Sequence, residues 1–381
     1  MKKAPALRFK GFTNDWEQRK PGDFLVESKI IGHKGDKAKK LTVKLWGKGV
    51  QEKQDILSGS ANTQYYIRKS GQLMYGKLDF LHAAFGIVPS QLNNYESTID
   101  SPSFDVKSAN SIFLLNLFLR KKFYLYYGER ANGSRKAKRI HEKDFLVMPI
   151  KMPEINEQNK ISNLIEIVNN RITLQQRKLR QLKLLKNALL KRMFTAKKSP
   201  TLRFRDFSKD WKLHKLQDIT DRLDNARVPV TASKRIAGST PYYGANGIQD
   251  YVKGYTHDGE FLLVAEDGAN NINDYPVICA KGKIWVNNHA HVLQAKNKKI
   301  DILFLMYALK FLNMKKYLVG GSRSKLNAET MMKLALKLPE LDEEHNIGVL
   351  IKNMDVLITQ YKSRIQKINK FKQFLLQNMF I

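Results

Sequence analysis

Cysteine, long apolar runs and balancing acidic charge are all scarce in this sequence. Cys279 is the single cysteine, which excludes an internal disulfide framework and a multi-cysteine zinc site and suits a reducing cytoplasm. We interpret it as a buried free thiol. No run of about 18 apolar residues occurs, so no membrane span is predicted. The basic opening Met1–Phe12 lacks an apolar stretch, so no secretory signal is predicted.

Acidic residues are too few to balance the basic ones. The chain has 67 Lys and Arg against 35 Asp and Glu, a formal net charge of +32. Such an excess predicts a polyanionic partner, with nucleic acid favoured over an acidic membrane surface. A generally basic proteome would be the alternative without functional meaning.

What the sequence does contain is an internal repeat. The phrase PALRFKGFTNDW at Pro5–Trp16 returns as PTLRFRDFSKDW at Pro200–Trp211, with seven identical positions. A second pair of similar segments, Pro153–Thr173 and Pro339–Thr359, follows at an offset of 186 residues. The tripeptide GSR also occurs twice, at 133–135 and 321–323. The duplication therefore covers most of the chain, and repeats of this kind decide the fold class.

Two long helices are predicted from a heptad spacing of apolar residues. The second helix carries the pattern at Ile351, Met354, Ile358, Tyr361, Ile365, Ile368, Lys372, Leu375 and Met379. The first carries nearly the same pattern at Ile165, Val168, Ile172, Gln175, Leu179, Leu182, Lys186, Leu189 and Met193. The apolar pattern is interrupted by Gln175 and by the aligned lysines Lys186 and Lys372. About 40 helical residues span roughly 60 Å, too far for burial against one small domain. We therefore expect the helices to pair antiparallel; independent docking of each helix on partner proteins is the alternative.

The remaining segments predict a mixed α/β (α+β) fold with two similar globules. Each has short strands and one apolar core helix, at 110–128 in the first half and 301–320 in the second. We predict four segments: a globular domain at 1–152, a helix at 153–198, a second globular domain at 199–338 and a second helix at 339–381. Two globules separated by an antiparallel coiled coil, with a pseudo-two-fold internal repeat, complete the predicted architecture.

Polar loop residues mixed with aromatics suit the reading of DNA base edges. Asn and Gln pair with adenine, Arg and Lys with guanine, and backbone amides hold phosphates. The first-half candidates are Tyr75, Lys77, Asp79, His82, Ser134, Arg135 and Lys136. The second-half candidates are Tyr242, Tyr243, Asn246, Gln249, Asp267, Asn288, His289, His291 and Arg323. For any single one of them, a role in forming a turn is the competing interpretation.

Catalytic and metal-binding patterns are weak. His289 and His291 lie two apart, but the sequence offers no obvious further ligands, so no metal site is predicted. Asp105 and Lys107 faintly resemble half of a nuclease centre without a partner acid. No phosphate-binding loop of the G-x-x-x-x-G-K-[ST] type is present. We therefore expect a DNA-facing protein without catalytic residues or cofactors, which must recruit an enzyme.

The repeated phrase, the helix starts at Pro153 and Pro339, the YYGANGIQDY and WVNNHAHVL segments and the GSR tripeptides resemble the specificity subunit of type I restriction–modification enzymes. YGKLDFLHAAFGIVP at Tyr75–Pro89 is also similar to first-half sequences of that family. The likeness covers essentially the whole chain. The segment 25–64 has no clear partner in the second half.

The resemblance implies two target-recognition domains, each reading one part of a split sequence in double-stranded DNA. It implies that the helices set the spacing and dock two methyltransferase subunits, which use S-adenosylmethionine to methylate adenine. Motor and endonuclease subunits that use ATP and Mg would cleave unmodified DNA. The resemblance thus implies a non-catalytic, cytoplasmic subunit. A stand-alone nucleic-acid-binding protein and a metal-dependent nuclease built on Asp105 and Lys107 are the alternatives.

Overall fold

The computed structural model describes residues 4–54, 60–131, 138–194, 199–296, 300–321 and 324–381. The chain divides into two compact units. Unit 1 consists of Met1–Leu174 and Ile365–Ile381, and unit 2 of Gln175–Arg364. Both units mix helices with strands, which confirms the predicted fold class. Among the described residues, no helix combines the length and the apolar character needed to cross a bilayer.

Unit 1 is built from short strands and three short helices. The strands are β1 (Glu17–Arg19), β2 (Leu25–Ser28), β3 (Ile30–Lys34), β4 (Leu41–Val43), β5 (Val50–Glu52), β6 (Gln64–Ile67), β7 (Leu73–Tyr75), β8 (Phe85–Ile87), β9 (Glu96–Ser97), β10 (Ser103–Val106) and β11 (Ile150–Met152). The helices are α1 (Ser111–Phe118), α2 (Lys121–Glu129) and α3 (Glu142–Leu146). The sheet orders are β2-β10-β7-β8, β3-β6-β9, β4-β5 and β1-β11.

The helix predicted over 110–128 is two helices. Arg120 adopts an extended conformation between α1 and α2, which ends the first helix and starts the second. The bend brings Phe118 and Phe123 together, with ring centroids 5.0 Å apart. Both rings thereby pack into one aromatic core, whereas a straight helix would hold them farther apart.

Unit 2 has a larger sheet. Its strands are β12 (Lys212–Lys215), β13 (Thr220–Arg222), β14 (Ala237–Gly244), β15 (Gly247–Val252), β16 (His257–Ala265), β17 (Val277–Val286), β18 (Ala290–Ala295) and β19 (Ala335–Leu338). Its short helices are α5 (Leu216–Ile219), α6 (Ile302–Phe311) and α7 (Ala328–Met332). Six strands follow the order β13-β18-β16-β17-β14-β15, and β12 pairs separately with β19.

Two long helices, α4 (Ile155–Met193) and α8 (Leu341–Asn378), contribute to both units. In unit 1, Ile165 and Val168 of α4 share a core with Leu375 near the end of α8. In unit 2, Met193 at the end of α4 shares a core with Ile351 of α8. In each unit one helix thus contributes its beginning and the other its end, so the pairing is antiparallel. All the predicted heptad positions are buried or half-buried.

The repeated phrase has the same contact in each unit. The guanidinium of Arg8 binds both carboxylate oxygens of Glu157, at 2.7 and 2.8 Å. Arg203 binds Glu343 in the same two-pronged way, at 2.9 and 2.6 Å. Both glutamates are buried and lie in the first turn of a long helix. Two parallel N–H···O bonds to a carboxylate add geometric definition as well as energy, so each phrase fixes the start of a long helix.

The tryptophan of each phrase packs against two phenylalanines. Trp16 meets Phe113 of α1 edge-on at 5.6 Å between centroids, and Phe380 after α8 lies against both. In unit 2, Trp211 meets Phe304 of α6 at 5.7 Å, and Phe194 after α4 stacks on Phe304. Each unit therefore closes its core with the residue that follows the long helix begun in the other unit.

Candidate nucleic-acid interface

Five loops of unit 2 are joined by side-chain contacts into one polar surface, which we call the second loop cluster. Its segments are residues 224–227, 244–249, 266–270, 287–291 and 324–326. Most of its exposed side chains are amides or charged groups, and several were predicted from the sequence as DNA contacts.

Asn246 joins two of these loops. Its amide nitrogen donates to the Gly268 carbonyl at 2.8 Å, and its amide oxygen accepts from the Asn270 backbone at 2.9 Å. At Gly244 the Gln249 amide packs close to the backbone, so an added Cβ would lie 2.2 Å from Nε2 of Gln249 and would displace that side chain. Asn246 and Gln249 are both exposed. Asn246 thus links two loops by hydrogen bonds, and the Gln249 amide lies close to the turn.

Asn288 and His289 form the exposed tip between β17 and β18. The ring Nδ1 of His289 lies 2.5 Å from Oδ1 of Asp267, which ties this tip to the loop after β16. The carboxamide of Asn287, which is buried, accepts from the His289 backbone nitrogen at 2.8 Å. The tip therefore has a fixed backbone, and it presents the side chain of Asn288 to solvent.

Beneath the tip lies a buried ion-pair network. The His291 ring is 1% exposed; its Nδ1 lies 2.7 Å from Asp224 and its Nε2 2.9 Å from the Leu326 carbonyl. Both ring nitrogens lie within hydrogen-bond distance of oxygen atoms, so the ring is held from two sides. Arg227 lies 2.7 Å from Oε2 of Glu266 and also donates to the Ala290 carbonyl.

The carboxyl groups of this network are held ionised by their partners. Burial alone would raise the pKa of Asp224, but the hydrogen bond from His291 and that from the Val292 backbone bring the pKa below its ordinary value. Burial would likewise raise the pKa of Glu266, and hydrogen bonds from Lys325 and Arg227 lower it. Paired and hydrogen-bonded charges of this kind are tolerated in a protein interior.

Asp224, Glu266 and His291 also lie close enough together to hold a metal ion, with ligand atoms within 4.8 Å of one another. Arg227 and Lys325, however, bind the same carboxylates. A guanidinium and an ammonium already neutralise the two carboxylates that would attract a cation. The network fits the positioning of loops, because it joins segments 224–227, 266–270, 287–291 and 324–326.

Several predicted contact residues are buried. The phenol of Tyr242 exchanges hydrogen bonds with Val230 and its ring lies under Arg235, at 4.1 Å. Tyr243 is also buried. In unit 1, the Tyr75 hydroxyl donates to the Ile140 carbonyl at 3.0 Å, and Lys77 lies 2.7 Å from Glu142. These side chains, like that of His291, are buried against partners within the protein.

Asp79 and His82 lie in a first loop cluster, which comprises residues 44–49 and 78–83 of unit 1. Both are about half exposed, and Nδ1 of His82 lies 3.7 Å from Oδ1 of Asp79. Beside them lies Trp46, whose ring meets the His82 ring edge-on at 5.5 Å. Trp46 was missed by sequence reasoning because it falls in the stretch without a counterpart in the second half. Its signal was the sequence LWGKG, an aromatic residue among glycines and lysines.

Four predicted contacts, Ser134, Arg135, Lys136 and Arg323, lie outside the described residues. The proposed nuclease residue Asp105 accepts a hydrogen bond from the Gln72 amide at 2.9 Å. Within the described part of the chain, the cluster of Asp224, Glu266 and His291 is the only one with three potential metal ligands, and Asp105 does not belong to it. The alternative of a metal-dependent nuclease therefore gains no support.

Comparisons with known proteins bear on both the sequence and the fold. Residues 208–370 match the family described as Type I restriction modification DNA specificity domain. A putative type I restriction enzyme specificity subunit of Haemophilus influenzae is 39% identical over 151 residues, 40% of this chain and 38% of that protein. A putative type I specificity subunit of Mycoplasma pneumoniae is 27% identical over 161 residues, 41% of this chain and 43% of that protein. The matched segments thus span less than half the length of these two curated relatives.

The fold comparison covers the full chain. The S subunit of a type I restriction–modification system from M. genitalium aligns over 99% of both chains with a TM-score of 0.66, at 14% sequence identity. At that identity the likeness concerns the fold. Residues 208–370 thus match the type I restriction modification DNA specificity domain family, and the whole chain shares its fold with the S subunit from M. genitalium.

Proposed function

We propose that this chain is the DNA sequence-recognition subunit of a type I restriction–modification complex. In this proposal it binds a bipartite target in double-stranded DNA, with one half-sequence read by the loops of unit 1 and the other by the loops of unit 2. It directs partner subunits to methylate adenine and to cleave unmodified DNA. The chain itself performs neither reaction.

The doubling of the fold supports the bipartite target and carries the proposal. The Arg8–Glu157 and Arg203–Glu343 pairs are equivalent, and so are the Trp16 and Trp211 clusters. Two units with one frame but different loops suit the reading of two different base sequences. The Arg–Glu pairs and the Trp clusters are repeated in both units while the loop clusters differ, as expected when the loops determine specificity.

The charge and the side chains of the loop clusters support DNA as the ligand. A net charge of +32 favours phosphate contacts, which give affinity and strong salt dependence. Exposed amides such as Asn288 and Gln249 can pair with base edges in the major groove. Two half-sites about 34 Å, or about 10 bp, apart would lie on the same face of a duplex.

The partners and cofactors are part of the proposal. Two methyltransferase subunits would dock on the chain and use S-adenosylmethionine, and motor and endonuclease subunits would use ATP and Mg. No cofactor is assigned to this chain. We propose the cytoplasm as its compartment, because the DNA target lies there in bacteria.

The experiment is methylation mapping with a chimaera. The chain is expressed with its methyltransferase subunit in a host that lacks adenine methylation, and modified adenines are mapped across the genome. We expect a split motif. Exchange of residues 199–338 for those of a relative should change one half of it only. A single uninterrupted motif, or methylation that is independent of this chain, would contradict the proposal; DNA binding without any co-purifying methyltransferase would favour a stand-alone binding protein.

A further inference from the structure

One exposed aromatic residue in unit 1 has an unusual backbone. Trp46 lies in the loop between β4 and β5 with a φ of 60°, and its side chain is 59% exposed. A left-handed conformation is an outlier for a bulky residue, and strain of this kind clusters at functional sites. Burial of the indole would offset the strain, yet the ring remains in solvent.

The backbone of this loop is fixed by two neighbouring segments. The Trp46 nitrogen donates to the His82 carbonyl at 2.7 Å, and the Gly47 nitrogen donates to the Ala83 carbonyl at 2.9 Å. Gly47 also has a positive φ of 64°, and an added Cβ would meet Leu119 at 2.9 Å. These contacts hold Trp46 outward, so its indole is pre-organised before any ligand arrives.

The loop that carries Trp46 also carries two lysines. Lys44 and Lys48 flank Trp46 in the loop and are exposed; across the described residues neither has an ion-pair partner. The His82 ring lies at 79° to the indole with the centroids 5.5 Å apart, and Trp46 remains 59% exposed beside it. Asp79 is the carboxylate beside His82, at 3.7 Å. An exposed aromatic residue in a lysine-containing loop is a combination that proteins use to stack on a nucleobase and hold its phosphates.

We propose that Trp46 is a DNA contact of unit 1 that stacks on a base face at an opened base step. An indole has one N–H donor, so it is poorly suited to identify a base by its edge. In an intact duplex the base faces are covered, and a wedge side chain reaches them only where stacking is interrupted. Adenine methylation supplies such an interruption, because enzymes that modify a base extrude it from the stack. This inference rests on the proposed function and adds to it the site at which the duplex is distorted.

The test compares three variants in the complex with the methyltransferase subunit. W46G removes the ring at a position where glycine adopts the backbone without strain, so folding is retained or improved. W46F keeps a ring that can stack. Y126A is the matched control, because Tyr126 is exposed to a similar degree, at 50%, but lies on a helix with Arg130 over its ring. Affinity is measured for a duplex that carries the motif found by methylation mapping.

We expect W46G to weaken binding at least tenfold, W46F less than threefold, and Y126A not at all. The wild-type emission provides a second measurement. Trp16 and Trp211 are buried and Trp285 is half-buried, so iodide should quench Trp46 most strongly and the mapped duplex should protect it. Unchanged binding of W46G, an equal loss in W46F, or no protection of the emission would each overturn the inference. Failure of the wild-type complex to bind any duplex would instead count against the proposed function.

Discussion

Two amides in unit 1 occupy the positions that two carboxyl groups occupy in unit 2. The amide oxygen of Asn110 caps helix α1, and the Asn110 backbone donates to Gln158 at 3.0 Å. In unit 2, Asp301 caps α6 and its backbone donates to Glu344 at 2.7 Å. The hydrogen bonds are thus the same in both units, but the pair in unit 1 consists of neutral amides and the pair in unit 2 of two adjacent carboxyl groups.

This difference makes unit 2 sensitive to pH. Burial, with the nearby Asp301 charge, raises the pKa of Glu344 from its ordinary 4.5 to about 8. Between these two pH values the folded protein keeps a proton that the unfolded chain has lost. The contribution to stability is therefore full below pH 4.5 and is lost as the pH rises to about 8.

We predict that E344Q removes this dependence and raises the stability of unit 2 at pH 8 by about 1–4 kcal/mol. The amide still accepts from the Asp301 backbone, as Gln158 does from Asn110. Urea unfolding at pH 5 and at pH 8–9 measures the effect. The reciprocal Q158E should introduce a pH dependence into unit 1, and its ionised form also loses the bond to the Pro153 carbonyl. The prediction would be contradicted if the free energy of unfolding changed with pH by the same amount in wild type and E344Q.

Two asparagines of the second loop cluster should respond differently to truncation. The side chain of Asn246 is bonded within the protein, whereas that of Asn288 faces solvent. If Asn288 reads a base, N288A should relax one position of the methylated motif, with a loss of about 1–3 kcal/mol in binding and an unchanged melting temperature. N246A should lower the melting temperature, because two loops lose their link. An unaltered methylated motif in N288A would mean that Asn288 does not read a base.

At the scale of elements, the heptad pattern was the most informative feature of the sequence. It depends only on the positions of apolar residues along each helix, so it predicted the seam that the structure shows. The contact sites were harder to predict, because a polar side chain with a distant partner looks the same in sequence as an exposed one. Lys77 and His291 are buried only because Glu142 and Asp224 fold against them.

The aligned lysines of the seam illustrate the same limit. Nζ of Lys186 lies 2.5 Å from Asp355, whose other oxygen accepts from Tyr307 at 2.8 Å. Lys372 is its counterpart in the second helix, and burial lowers its pKa; among the described residues no carboxylate pairs with it. The position equivalent to Asp355 in the first helix is Asn169. The charge of Lys186 is thus paired with a carboxylate, whereas that of Lys372 has no carboxylate partner among the described residues.

We predict opposite effects of the same substitution at these two positions. K186M should lower the free energy of unfolding by about 1–2 kcal/mol, because Asp355 loses its cation. K372M should leave that free energy unchanged or raise it, since it removes a desolvated charge and keeps the packing of the stem. Urea midpoints of the two variants measured in parallel test this. Equal destabilisation would indicate that Lys372 has an anionic partner.

At the scale of the whole molecule, the internal repeat determines the order of the two units and of the two long helices along the chain. Helices α4 and α8 each contribute to both units, and each starts beside a repeated arginine phrase. The sequence predicted this plan because duplicated segments retain their order along the chain. The loops between them have diverged, and segment 25–64 with Trp46 has no clear partner in the second half. The proposed contact Trp46 therefore lies where the comparison of the two halves is least informative.

The helices should act as the ruler of the bipartite target. Because the seam is antiparallel, the extension must be matched, with one heptad inserted between residues 174 and 175 and another between 364 and 365. Seven residues add about 10.5 Å and nearly two full turns, which corresponds to about three base pairs at about 3.4 Å each. We expect methylation mapping to show both half-sequences unchanged and a spacer longer by about three base pairs. A heptad in one helix alone should misalign the seam and lower the melting temperature, whereas an unaltered spacer in the matched variant would mean that the helices do not set the distance.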